Sequence, residues 1–90
     1  MGARSGQLTI VNQLGLHARA ASKFVGLANR FQSEVWLGVG DREVNAKSIL
    51  GVLMLAASKG TQIVLRVEGA DSDAAYDALC ELVTTGFGET

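Results

Sequence analysis

The 90-residue sequence predicts a two-layer α/β (α+β) fold in which a four-stranded, mainly antiparallel sheet carries three helices on one face. Three observations lead there. Four short stretches alternate apolar and polar residues, and three stretches repeat apolar residues at helical spacing. Their order is strand, helix, strand, strand, helix, strand, helix. Each strand then has one apolar face to bury and each amphipathic helix one apolar stripe to cover it.

Residues 1–6 are small and polar and are expected to fray, leaving the chain as one domain over 1–90. Gln7 to Gln13 alternates as the first strand, with Leu8 and Ile10 on one side. Leu14-Gly15-Leu16 turns the chain toward His17, and a helix is predicted from Ala18 to Phe31, with Ala21, Phe24, Ala28 and Phe31 on its buried stripe. Glu34 to Val39 and Arg42 to Ala46 form a hairpin about Gly40-Asp41. Ser48 caps a second helix, Ile49 to Leu55, which Lys59-Gly60 ends. That helix is apolar nearly all round, so it is either wholly buried or turns a greasy face to a partner. Burial is the expectation from these residues alone.

Thr61 to Glu68 is the fourth strand, with Ile63, Leu65 and Val67 facing inward. Asp71 or Ser72 caps the last helix, which buries Ala75, Leu79, Leu82 and Val83 and stops at Gly86. Two topologies fit this order: a ferredoxin-like split βαβ with an added terminal helix, or an open-faced sandwich with another strand order. The pattern alone does not separate them.

Composition narrows the function. The chain is 48% apolar and 19% charged with net charge −1, so neither nucleic acid nor an anionic membrane is an expected partner. No apolar run approaches the roughly 18–20 residues needed to cross a bilayer, and no secretory leader is visible. The single cysteine, Cys80, has no internal disulfide partner and reads as a small buried hydrophobe, so a cytoplasmic setting is expected. One cysteine and one histidine make no zinc set; neither a metal nor a cofactor is expected.

The chemistry gathers at His17, the only histidine, placed where a strand pattern gives way to a helix. The first amides of a helix lack internal partners and carry partial positive charge, which makes an anion site of the backbone at Ala18 and Arg19. An arginine two places on can fork onto phosphate oxygens. These parts suit a histidine that is itself phosphorylated. A cap or a plain surface histidine is the alternative on the local residues. A hydrolase would need a nucleophile and an orienting acid that no motif supplies, and the Lys47-Ser48 pair lacks the glycine of a P-loop. A non-catalytic ferredoxin-like regulatory or interaction module is the competing class; for RNA it would need aromatic or basic residues on the open sheet face, where Trp36 is the one large aromatic.

At this point the sequence resembles the HPr family, the histidine-containing phosphocarriers of the bacterial phosphotransferase system. Leu14-Gly15-Leu16-His17-Ala18-Arg19 resembles the family's active-site signature and Asn45-Ala46-Lys47-Ser48 its second signature, and Lys59-Gly60-Thr61 also matches. The resemblance implies the open-faced βαββαβα sandwich with sheet order 1-4-2-3. It implies that His17 accepts a phosphoryl group, through Nδ1, from enzyme I charged by phosphoenolpyruvate, and passes it to an EIIA-type protein. Such a chain is a carrier rather than an enzyme turning over alone. Arg19 is then the phosphate partner, Ser48 matches the serine that a kinase modifies in some members, and Ile49, Leu50 and Leu53 with Ala18 form the docking surface. Leu53-Met54-Leu55-Ala56-Ala57 and Gly86-Phe87 look more like the nitrogen-related branch than the sugar-uptake members. The departure is Ala20, where most members carry proline; alanine keeps the helix and one more amide donor.

Overall fold

A computed structural model describes residues 2–89. The elements are β1 (Gly2–Thr9), α1 (Ala18–Ala28), β2 (Glu34–Val39), β3 (Arg42–Asn45), α2 (Ile49–Met54), β4 (Gln62–Gly69) and α3 (Ser72–Thr84), followed by a 3-10 turn at Gly86–Gly88. The sheet order is β1-β4-β2-β3 with every pairing antiparallel. Because β4, not β3, lies between β1 and β2, the ferredoxin-like arrangement is excluded and the open-faced sandwich holds.

Register explains the burial. Leu8 pairs with Ile63, Val35 with Val67 and Leu37 with Leu65, which sets these side chains on the helix-bearing face. Ile63, Leu65, Val67, Val35 and Leu37 are buried there with Phe24 and Ala28 from α1, Val52 from α2, and Leu79 and Val83 from α3. The opposite face is open. On it the Arg66 guanidinium lies 3.8 Å above the Trp36 ring centroid, and its nitrogens donate to both Glu43 oxygens at 3.0 and 2.8 Å and to Glu68 at 2.7 Å. Glu43 sits opposite Gly38 in the neighbouring strand, and a Cβ at Gly38 would stand 3.1 Å from Arg42 O.

Several boundaries and one cap differ from the sequence reading. β1 runs from Gly2 to Thr9 and not from Gln7 to Gln13: residues 2–6, expected to fray, pair with β4 from Gly2↔Gly69 to Gly6↔Leu65, and residues 10–13 belong to the loop, while Met1 lies outside the described residues. α1 stops at Ala28 and not Phe31, because the Asn29 side chain bonds back to the Val25 carbonyl at 2.9 Å and across to Lys47 O at 3.3 Å. α2 ends at Met54, one residue before the expected Leu55, which is its C-cap, and Ala56 at φ +50° breaks the helix ahead of Lys59-Gly60. Only Val52 of that helix is fully buried, so the expectation of an all-buried helix is corrected. Asp71 takes the N-cap position of α3, and its carbonyl accepts from Ala75 N–H at 2.9 Å, but its side chain makes no capping bond. Its carboxylate accepts instead from the Gln32 and Ser33 amides at 2.8 and 2.9 Å and from the Ser33 hydroxyl, clasping the α1–β2 loop to the start of α3. These donors, the Ser33 hydroxyl foremost, hold the Asp71 carboxyl below the usual carboxylate range.

Candidate functional site

The loop between β1 and α1 is held at both sides before it reaches His17. Gly60 N–H donates to Ile10 O at 2.7 Å and Leu16 N–H to Ala57 O at 2.8 Å, so the segment leading into β4 clamps the turn. Gly15 sits at φ +67°, and a Cβ there would stand 2.5 Å from Ala57 O. The buried Leu16 anchors the chain, and His17 follows as the N-cap of α1, with extended backbone at φ −74° and ψ 179°.

The capping atom is Nδ1 of the imidazole, which accepts from Arg19 N–H at 3.3 Å. On the far side of the ring, Nε2 stands 2.7 Å from Glu89 Oε2. An amide donor at Nδ1 and a carboxylate acceptor at Nε2 together call for one form of the ring: the lone pair on Nδ1 and the proton on Nε2. The ring is partly exposed, at 27% for the side chain against 15% for that of Glu89.

Glu89 is a member of this site that the sequence reading missed. Its second oxygen, Oε1, accepts from Asn12 Nδ2 at 3.0 Å, and the same Nδ2 donates to Gly15 O at 2.8 Å. The Asn12 amide first, and the His17 ring next, hold the Glu89 carboxyl below its usual range against the burial that raises it. Lys23 Nζ reaches the Phe87 carbonyl at 2.7 Å and fixes the segment that carries Glu89. No local motif announces Glu89, because its approach depends on a turn some seventy residues downstream of His17 in the chain.

The remaining sequence-selected residues fall in two groups. Ala18 and Arg19 are exposed in the first turn of α1 beside His17, and Ala20, which replaces the usual proline, is fully buried at the next position. The first bond within the helix is Ala21 N–H to His17 O at 2.8 Å, so a proline at position 20 would forfeit no helical bond. Ser48, Ile49 and Leu50 lie elsewhere. Asn29 at the end of α1 bonds Lys47 O, whereas Ala57, beyond α2, bonds Leu16, so α2 runs back along α1 with Ser48 at the end away from His17. Ser48 Oγ caps α2 through Gly51 N–H at 3.3 Å. Ile49 is 39% and Leu50 70% exposed, while Leu53 is half-buried against the core. Leu14 and Met54 are also exposed apolar residues, at 69% and 64%, and were not among the residues selected from sequence. Cys80 is half-buried rather than wholly buried.

Comparison with known proteins gives the family. A family model described as the PTS HPr component phosphorylation site matches residues 4–85. The chain belongs to the HPr family of phosphocarriers of the phosphotransferase system. An HPr of Neisseria meningitidis is 52% identical over 82 residues, covering 91% of this chain and 92% of that protein. A phosphocarrier NPr of Shewanella violacea is 48% identical over 83 residues, covering 92% and 91%. With relatives of both names at such similar identity, likeness alone does not separate the HPr and NPr branches. Among solved structures, the HPr of Thermoanaerobacter tengcongensis superposes with a TM-score of 0.94 at 40% identity, covering 97% of this chain and 98% of that one. That of Bacillus anthracis gives 0.87 at 35% identity, covering 92% and 99%. Within this HPr-family chain no helix among the described residues is long and apolar enough to cross a membrane, and no group of three His, Cys, Asp or Glu among them could hold a metal ion.

Proposed function

We propose that His17 is the residue phosphorylated in this HPr-family chain, on Nδ1, by phosphorylated enzyme I, and that the group passes on to an EIIA-type acceptor in the cytoplasm. The observation that carries the reading is the pairing of the ring: Nδ1 accepts from the first turn of α1 while Nε2 faces Glu89. The nitrogen with the free electron pair is therefore the one beside the helix start, where a phosphoryl group would meet amide donors and the Arg19 guanidinium. In transfer the Nδ1 lone pair forms the N–P bond as the donor's N–P bond breaks in line, and the donor nitrogen leaves with that electron pair. Positioning and charge complementarity are the main contributions asked of the carrier. Ala18 and Arg19 contribute the backbone at the phosphate, and the Arg19 side chain is exposed beside it.

Docking is assigned to the exposed apolar residues Ile49 and Leu50, with Ala18 and the half-buried Leu53. Leu14 and Met54 extend this surface toward the His17 end. Ser48 serves as a cap, and a serine kinase acting there would place about two negative charges at the rim of the apolar surface, hindering partners. The test is incubation with enzyme I, magnesium and labelled phosphoenolpyruvate, comparing the natural chain with His17→Ala. Acid-labile, alkali-stable label on the natural chain alone is the expected result. Equal label on both chains, or none on either with enzyme I active on another carrier, overturns it.

A further inference from the structure

We infer that Glu89 is a positioning residue for phosphoryl transfer, keeping the His17 proton on Nε2 and neutralising the ring once Nδ1 carries phosphate. The inference rests on the proposed role of Nδ1 and extends it to the end of the described chain.

Glu89 is aimed at the ring by buried structure. Phe87, two residues before it, adopts φ +59°, a left-handed conformation costly for a residue with a side chain, yet it is only 1% exposed. Burial of that ring in the core and the Lys23 bond to its carbonyl hold the backbone in this shape. Glu89 N–H then closes onto Gly86 O at 3.0 Å. The acid is thus delivered by a packed turn.

Asn12 supplies the second observation. This side chain is 4% exposed, and its one amide nitrogen serves both Gly15 O and Glu89 Oε1, while Oδ1 is buried with no hydrogen-bond partner among the described residues. A buried amide left half satisfied is uncommon and costly. Flipping it would set its oxygen against two acceptors, so the orientation is fixed by what it must hold. It ties the turn before His17 to the carboxylate behind it.

The charges around the ring give Glu89 its second part. Arg19 and Lys23 from α1 and Lys59 from the turn before β4 line the clefts on either side of Glu89, and Glu89 is the one acid among the residues lining them. When Nδ1 forms the N–P bond its lone pair is consumed, the proton stays on Nε2, and the ring becomes a cation whose Nε2 stands 2.7 Å from Glu89 Oε2. On delivery the N–P electrons return to Nδ1 and the ring is neutral again. A cationic ring leaves more readily than a neutral one, whose departure would generate imidazolate.

The test uses full-length Glu89→Gln and Glu89→Ala, since the amide of Gln can still accept from Nε2–H but carries no charge. In the unphosphorylated protein, 15N-edited NMR should detect the Nε2 proton in the natural chain and in Glu89→Gln, with its loss to solvent exchange in Glu89→Ala. In transfer from the phosphorylated carrier, Glu89→Gln should shift the alkaline fall of the rate about one pH unit toward acid. That is about a tenfold loss at a given alkaline pH, the scale of a charge-assisted hydrogen bond. A natural chain carrying its ring proton on Nδ1, or transfer profiles unchanged in both variants, overturns the inference. Failure of His17 to take label would sink the proposed function instead, and the ring-proton measurement would still read separately.

Discussion

Replacing Gly15 by alanine tests whether the turn before His17 is held by the backbone that faces it. At φ +67° a Cβ meets the left-handed penalty, about 1–2 kcal/mol. It would also stand 2.5 Å from Ala57 O and 2.8 Å from Ser58 Cα, both backbone atoms that cannot rotate away. Relief requires the two segments to part, which strains the packing by about 1–3 kcal/mol and weakens the Leu16 N–H bond to Ala57 O, with a net worth of about 1 kcal/mol. The lower entropy of the unfolded alanine chain returns about 0.4–1 kcal/mol. Gly15→Ala should therefore lose about 2–5 kcal/mol, a large share of the roughly 5–13 kcal/mol expected for a domain of this length.

Gly40→Ala is the control, because Gly40 has a nearly equal φ of +61° with nothing within 4 Å of the added atom. It should lose only about 1 kcal/mol. The assay is urea unfolding followed by the fluorescence of Trp36, together with phosphoryl uptake at His17. Equal losses in the two variants would refute the argument, since the conformational penalty would then account for everything and the contact with residues 57 and 58 for nothing.

Other outcomes follow from separate parts of the molecule. Leu50→Glu should leave stability within about 0.5 kcal/mol, because the side chain is 70% exposed, yet slow phosphoryl transfer; an unchanged rate would remove Leu50 from the docking surface. Ser48→Ala should cost about 0.5–1 kcal/mol in denaturant unfolding through loss of the cap on a six-residue helix. The lowered pKa of Asp71 in the folded chain means that its stabilisation is complete above the ordinary carboxylate range near pH 4 and is lost as pH falls through its lower folded value. Stability measured below about pH 4 should thus fall less steeply in Asp71→Asn than in the natural chain, and parallel curves would contradict the assignment.

What could be read from the sequence was local. The alternation at Glu34–Val39 and around Ile63, Leu65 and Val67 gave strands with the correct inward faces, and the stripe Ala21, Phe24, Ala28 gave the buried side of α1. His17 and Arg19 stood out because a cap, a ring and a cation lie within three positions. The start of β1 was hidden for a different reason. Residues 2–6 are small and polar, and their partners lie on β4, more than sixty positions away at the Gly2 end. Gly6 reads as a breaker, yet an added Cβ there would fall 2.0 Å from the Tyr76 hydroxyl, so its bareness serves a side chain from α3. Glu89 and Asn12 were invisible as site residues because the contact joining them depends on the buried Phe87 and on a loop that only the finished fold brings together. The burial of α2 was not legible because hydrophobicity marks what could be buried, and at Leu50 and Met54 it marks residues left uncovered.

The central position of β4 bears on how the molecule comes into being. β1 has no strand neighbour except β4, and β2 meets β1's half of the sheet only through β4. Until residues 62–69 have left the ribosome, a nascent chain can close the β2–β3 hairpin but cannot assemble the sheet, and the first strand waits with its edge unpaired. The loop that sets His17 waits as well, since its two clamps come from Ala57 and from Gly60 at the threshold of β4. A half-made chain accordingly carries the histidine without its setting: the loop clamps wait for residues 57–60, and Glu89 arrives later still, after α3.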